Sequence, residues 1–179
     1  MPRIHILGAS GSGATTLGVL LAAQLGCPHE DSDDYLWLKT DPPYTTLRST
    51  AERLALLIPR LEGLAHWVFS GSSLNWAASL EPLYDLVVFL HLDPALRLAR
   101  LRAREVARHG SRIQPGGDMA DGSRDFLEWA ASYDTAGPEQ RSRTGHELWL
   151  AQRTCPVLRL DSSAPVDVLL QSVQRQLRF

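Results

Sequence analysis

The chain has 179 residues, of which 44% are hydrophobic and 21% charged, with a formal net charge of −2. That length suits a single domain, 1–179, able to bury its own core without a disulfide or metal staple. The near-neutral charge excludes a generic nucleic-acid or membrane-surface binder, and no apolar run approaches the roughly 20 residues needed to span a bilayer.

Cys27 and Cys155 have neither metal-ligand spacing nor a partner framework for disulfides. No apolar leader segment precedes the first glycines, so a cytoplasmic location is expected. Among 18 basic residues Lys39 is the one lysine; the rest are arginines.

Arg3 to Leu7 reads as a short strand, and Gly8 to Gly13 as a glycine-rich turn. Thr15 to Leu25 follows as a helix with Leu17, Leu20, Leu21 and Leu25 on one face, stopped at Gly26. A short extended segment then ends at Asp31-Ser32-Asp33-Asp34, and two prolines make Thr40 to Thr46 a loop. Ser49-x-x-Glu52 is a capping box opening a helix with Leu54, Leu57, Ile58 and Leu61 at helical spacing and Pro59 inside it.

Trp67 to Ser70 reads as a buried strand with Gly71-Ser72-Ser73 as its exit. The unbroken apolar run Leu86 to Leu92 suits a parallel strand covered on both faces. Asp93-Pro94 starts a two-sided helix to His109, with Arg97, Arg100, Arg104 and Arg108 on one face and Ala95, Leu98, Ala99 and Val106 on another. Ser111 to Gly122 reads as a loop, Ser123 to Thr135 and Pro138 to Gln152 as helices, Pro156 to Leu160 as a last strand and Val166 to Leu177 as a last helix. This βα alternation predicts an α/β fold with a parallel sheet of about five strands and right-handed crossovers.

The glycine turn carries the strongest chemical signal. Gly8, Gly13 and Thr15 fall in register with the phosphate-loop pattern G-x-x-x-x-G-K-[ST], but Ala14 stands where the lysine belongs. Glycines let such a loop turn its amides inward as an anion nest, and the following helix adds its positive end. Gly8, Ser10, Gly11, Ser12, Gly13, Ala14, Thr15 and Thr16 are therefore the expected phosphate contacts, with the Thr15 hydroxyl on Mg²⁺.

A rival reading exists. Gly8-x-x-Gly11-x-x-Ala14 also resembles the dinucleotide motif of short-chain dehydrogenases, and Tyr35-x-x-x-Lys39 imitates their catalytic pair, although it lies too early in the chain for that role.

Four features together resemble the adenylate kinase and shikimate kinase branch of P-loop phosphotransferases: the Gly8 to Thr16 loop, Gly26-x-x-x-x-Asp31-x-Asp33, the strand exit Ser70-Gly71-Ser72, and the strand from Asp85 to Pro94 followed by the arginines from Arg97 to Arg104. The resemblance implies a three-layer P-loop fold with a helical lid near 105–145. It implies transfer of the γ-phosphoryl group of ATP, with Mg²⁺, to a small-molecule acceptor such as a nucleoside monophosphate or hydroxylated metabolite. A monomer or homodimer is expected.

By analogy Asp31 would hold Mg²⁺ through water and Asp33 would orient the acceptor hydroxyl, beside Gly71 and Ser72. Arg48 and Arg53 would grip an acidic acceptor. Arg141 and Arg143 would belong to the lid, and Arg104 or Arg141, with Lys39 as a further candidate, would replace the missing loop lysine. A nucleotide-binding protein with little transfer activity is the alternative that Ala14 favours.

Overall fold

The computed structural model describes residues 2–177. Five strands form one parallel sheet: β1 (Arg3–Gly8), β2 (His29–Asp31), β3 (Trp67–Ser70), β4 (Leu86–His91) and β5 (Val157–Asp161), in the spatial order β2-β3-β1-β4-β5. β1 is central, and the chain leaves it first towards β3 and β2, then towards β4 and β5. Strand order thus switches direction beside β1, which is where an open α/β sheet forms a crevice at its carboxyl edge.

Alternation along the strands builds two cores. Ile4 and Ile6 of β1, Val68 of β3, and Leu86, Val88 and Leu90 of β4 face α1 (Ala14–Leu25) and α7 (Val166–Gln176), meeting Leu17, Leu21, Leu169, Leu170 and Val173. Leu7, Trp67, Phe69, Val87 and Phe89 face the other way, onto α3 (Thr50–Leu61), α6 (Arg143–Leu150) and a 3-10 turn at Ala78–Leu83. Each fully buried aliphatic side chain contributes about 1.5–3 kcal/mol, so this double-sided burial fixes the strand ends that carry the loops.

His5 lies in the second core, stacked on Phe69 and Tyr84 at ring-centroid distances of 5.2 and 4.8 Å. Its Nδ1 meets the Phe69 carbonyl at 3.1 Å and its Nε2 meets the Ser73 hydroxyl at 3.0 Å. Burial lowers its pKa to about 4.

Most expected elements appear near their predicted bounds. The Ser49–Glu52 capping box is formed in both directions, and Asp93 caps α4 (Pro94–His109) by accepting from the amides of Ala95 and Leu96.

Four expectations are corrected. Leu20 is exposed, because Gly18 and Ala22 occupy the inner face of α1 with Leu17 and Leu21. Ser32, Asp33 and Asp34 start a short helix, α2 (Ser32–Leu36), rather than ending a strand; the Asp31 side chain caps it on the Asp33 amide. The stretch after α4 holds a 3-10 turn at Gly110–Ile113, and α5 (Ala120–Ala131) begins within the residues expected to be loop.

The fourth correction concerns α4, whose four arginines do not share one environment. Arg97 is buried with Leu101 and Glu105, Arg104 is half-buried, and Arg100 and Arg108 are exposed, as are Ala95, Ala99 and Val106. Arg97 is 1% exposed because it donates to the Ala130 carbonyl and the Asp134 carboxylate, both at 2.7 Å, beyond the α5 side of the interface. No helix among the described residues is long and apolar enough to cross a membrane.

Candidate active site

The loop between β1 and α1 opens into a cavity of about 1700 Å³ at the carboxyl edge of the sheet. Its shape depends on two glycines. Gly8 has no room for a side chain, since a Cβ would lie 2.5 Å from Ser12 Oγ and 2.6 Å from the Leu90 carbonyl oxygen. Gly13 caps α1 with φ 92°, in the left-handed region that other residues adopt at a cost, and offers no capping side chain. The first-turn amides of α1 therefore lack a side-chain cap at the end where the helix is positively polarised. Ser10, Gly11, Ser12, Gly13, Ala14, Thr15 and Thr16 all line the cavity, and the Thr15 and Thr16 residues are exposed. Gly8, the last residue of β1, is not among the lining residues.

The acidic side comes from the ends of β2 and β3. Asp31 accepts from the Ser70 hydroxyl at 3.1 Å, and that oxygen also lies 2.9 Å from His29 Nε2, giving a His29–Ser70–Asp31 chain along the cavity wall. Asp33 faces the cavity from α2. Reduced solvation in the cleft and the Asp31 charge raise its carboxyl pKa, while the Arg141 and Arg104 charges oppose the rise. Gly71 and Ser72 line the cavity next to them. Their backbone is fixed by bonds from the Gly71 amide to Ile6 and from Trp76 Nε1 to the Ser72 carbonyl, both 2.9 Å.

Five arginines line the cavity, Arg53 of α3, Arg100, Arg104 and Arg108 of α4 and Arg141 just before α6, and three of them, Arg53, Arg104 and Arg141, share one setting. Each guanidinium lies against a ring: Arg53 5.8 Å from the Trp76 centroid, Arg104 5.9 Å from Phe126 and Arg141 6.0 Å from Trp129. In each the Nε is buried without a hydrogen-bond partner. Burial, joined for Arg104 by the neighbouring Arg108 charge, lowers the pKa of Arg104 and Arg141. Such groups favour an anionic partner, because a desolvated cation is costly until it is paired.

Other expected residues fall elsewhere. Arg48 does not line the cavity; its Nη1 is bonded to the carbonyls of Asp34, Tyr35 and Trp37, which closes the end of α2. Arg143 is exposed, and Lys39 is exposed and outside the cavity lining. The Tyr35 hydroxyl is turned into the protein and donates to Glu30, so Tyr35 and Lys39 do not form a paired site on the cavity wall.

Sequence reasoning missed the rings of Trp76, Phe126 and Trp129, since pairing an arginine with a ring on another element leaves no local pattern. It also missed the far wall, where Arg100 donates to the Ser162 carbonyl and Ser162 to Val166 line the cavity. Within 105–145 one exposed arginine makes a link across the cavity rim: Arg112 bridges Asp118 and Asp41 at 2.6 and 2.7 Å, joining the stretch before α5 to the 40–46 loop.

A five-stranded parallel sheet of this order, flanked by helices and carrying a glycine loop after its central strand, is the fold of P-loop kinases. The chain superposes on a shikimate kinase from Bacteroides thetaiotaomicron with a TM-score of 0.53 and 19% identity, covering 99% of each chain. It superposes on a gluconokinase from Sinorhizobium meliloti 1021 with a TM-score of 0.53 and 17% identity, covering 99% of this chain and 91% of the other. At these identities the likeness is one of fold. No protein-family model matches the sequence. The chain is 44% identical over 165 residues to the uncharacterized protein YqaC of Bacillus subtilis (strain 168), covering 92% of this chain and 91% of that one, and the two belong to one family.

Proposed function

We propose that the protein is a phosphotransferase that moves the γ-phosphoryl group of ATP to a small anionic acceptor. The observation that carries this reading is the joining of two binding environments in one cavity of about 1700 Å³. Ligand sites commonly occupy about 300–1,000 Å³, so there is room for a nucleotide and an acceptor together. The uncapped helix start and glycine loop suit a polyphosphate, and the unpartnered Nε atoms of Arg53, Arg104 and Arg141 suit further negative charge.

The residues present also fit Mg²⁺. Among the described residues no cluster of three or more His, Cys, Asp or Glu side chains could hold a metal unaided. Mg²⁺ in phosphoryl-transfer sites needs less, being held by one or two protein oxygens, water and the phosphates. Thr15 and Asp31 are the residues that would hold it. Mg²⁺ supplies charge neutralisation on the phosphate oxygens when bound.

The chain's own residues then position and polarise. The loop amides and the α1 terminus hold phosphate. Ser70 orients the Asp31 carboxylate, and Asp33 accepts a hydrogen bond from the acceptor hydroxyl and takes its proton. Arg53 holds the acceptor's anionic group against Trp76. This reading supports the expected small-molecule acceptor and involves neither a nucleic acid polymer nor a membrane.

A thermal-shift series with ATP, GTP, nucleoside monophosphates, shikimate and gluconate, each with Mg²⁺, tests the proposal. A nucleoside triphosphate should raise the melting temperature, and an anionic acceptor should raise it further. No shift from any triphosphate removes the reading. Ala14 favours a second reading, a nucleotide binder with little transfer activity; triphosphate binding without ADP formation in the presence of the acceptor set would select it.

A further inference from the structure

We propose that Arg141 does the work of the absent loop lysine, delivering positive charge to the terminal phosphate from the segment before α6. This inference rests on the nucleotide reading above and adds a particular donor to it.

A lysine at the loop's seventh position starts at the helix terminus and reaches back over the loop to the β- and γ-phosphates. Ala14 ends at Cβ and reaches nothing. Arg141, from the segment before α6, arrives at the same loop: its Nη2 donates to the Gly8 carbonyl at 2.7 Å. The segment holding it is pinned at the next residue. Ser142 is fully buried, donates from Oγ to the Gly137 carbonyl at 2.7 Å, and accepts from the Gly145 amide at 3.0 Å as the cap of α6. The guanidinium is backed by Trp129, and its buried Nε is left without a partner.

Arg53 and Arg108 also line the cavity, but among the described residues neither is bonded to the loop backbone. Arg97 is bonded to Asp134 and Ala130, and Arg100 to Ser162. Arg104 lies against Phe126, with Nε 3.9 Å from Glu105 and no hydrogen bond to the loop. Lys39 is outside the cavity lining. Arg141 is therefore the cavity arginine bonded to the loop backbone among the described residues.

The neighbouring carboxylates explain how it is tolerated. Asp33 and Asp31 are the acidic charges acting on Arg141, and Asp33 faces the same cavity. In the apo protein they compensate the guanidinium in part. A phosphate bound on the loop would supply the remaining partner for the unbonded N–H.

The test is Mg²⁺-dependent binding of ATP and of ADP by calorimetry, reading the ratio of the two dissociation constants. Arg141→Gln removes the charge and, being shorter, also gives up the Nη2 bond to the Gly8 carbonyl. It should lower the preference for ATP over ADP by about tenfold to a hundredfold, the loss expected of a charge-assisted hydrogen bond, with the protein still folded by circular dichroism. Arg141→Lys should keep most of the preference. Adding Ala14→Lys to Arg141→Gln should restore it, because the charge then comes from the loop.

An unchanged ratio in Arg141→Gln, or equal weakening of both nucleotides with a lower apo melting temperature, overturns the proposal and leaves the kinase reading standing. Should Arg141→Gln fail to fold, the comparison passes to Arg141→Met, alone and with Ala14→Lys; an ATP preference that Arg141→Met leaves intact, or that the added lysine does not restore, overturns it equally. Wild-type protein that binds neither nucleotide overturns both readings, and is distinguished by needing no variant.

Discussion

The Arg97 guanidinium, 1% exposed, meets the Asp134 carboxylate at 2.7 Å and so ties the first turn of α4 to the turn that follows α5. Breaking one side of a buried pair costs about 3–5 kcal/mol, because the other charge is left without compensation. Asp134 is 22% exposed, so some of its cost is recovered by water and the lower end of that range applies. Arg97→Ala should lower the free energy of unfolding in urea by about 3 kcal/mol, and Arg97→Ala/Asp134→Ala should cost less than the sum of the single changes.

The buried histidines set a pH limit on stability. Burial lowers His5 to about 4, with the Arg153 charge adding to it, and lowers His146 to about 3. Below the ordinary histidine value of about 6.5 the unfolded chain binds protons that these folded residues refuse. Stability is therefore complete above about 6.5 and falls as the pH is lowered towards the folded values, by up to about 1.4 kcal/mol per pH unit for each histidine. Urea titrations at pH 7 and pH 5 should show the fall, and a His146→Phe protein should show a shallower one. Equal slopes would remove His146 from the explanation.

Gly8→Ala should damage the loop more than its surroundings. The added methyl meets a backbone oxygen of Leu90 in a central strand, which cannot move without disturbing the β1–β4 pairing. Overpacking of this kind costs about 1–3 kcal/mol. The protein should stay folded by circular dichroism while the ATP-induced thermal shift disappears. An undiminished shift would separate the loop from nucleotide binding.

Asp33 should control the acid limb of transfer. Its carboxyl titrates above the ordinary aspartate range because solvation is reduced in the cleft and Asp31 is close. The ionised form accepts the acceptor's proton, so activity should be lost as the pH falls through that raised value. Asp33→Asn should lower kcat by about 10²–10⁴, the usual contribution of a general base, while leaving ATP affinity in place. A variant retaining wild-type kcat would exclude Asp33 from the proton transfer.

The strands and the loop were legible because their signals are local. Apolar runs at Trp67–Ser70 and Leu86–His91, glycines at the end of β1, and the Asp93-Pro94 helix start each report their own conformation. α4 was misread because its burial is decided by distant partners. Arg97 goes inside only since Asp134 and the Ala130 carbonyl await it, and no periodicity announces a carbonyl 33 residues away. Arg48 was assigned to an acceptor for a similar reason. α2 spans five residues, and its carbonyls are closed by a side chain from beyond the following loop. The stretch from Ser111 to Gly122 read as a loop through its glycines and proline, although Ala120 already begins α5.

The arginine-for-lysine bias has a practical consequence for chemical labelling. Lys39, the chain's single lysine, is exposed and stands apart from the cavity. Acetylating or amine-directed reagents would therefore leave the cavity's guanidinium groups intact, whereas an α-dicarbonyl that condenses with guanidinium would strip their hydrogen-bond donors. Acylation of lysine, a common route for tuning enzymes in cells, has no side chain to act on within this cavity.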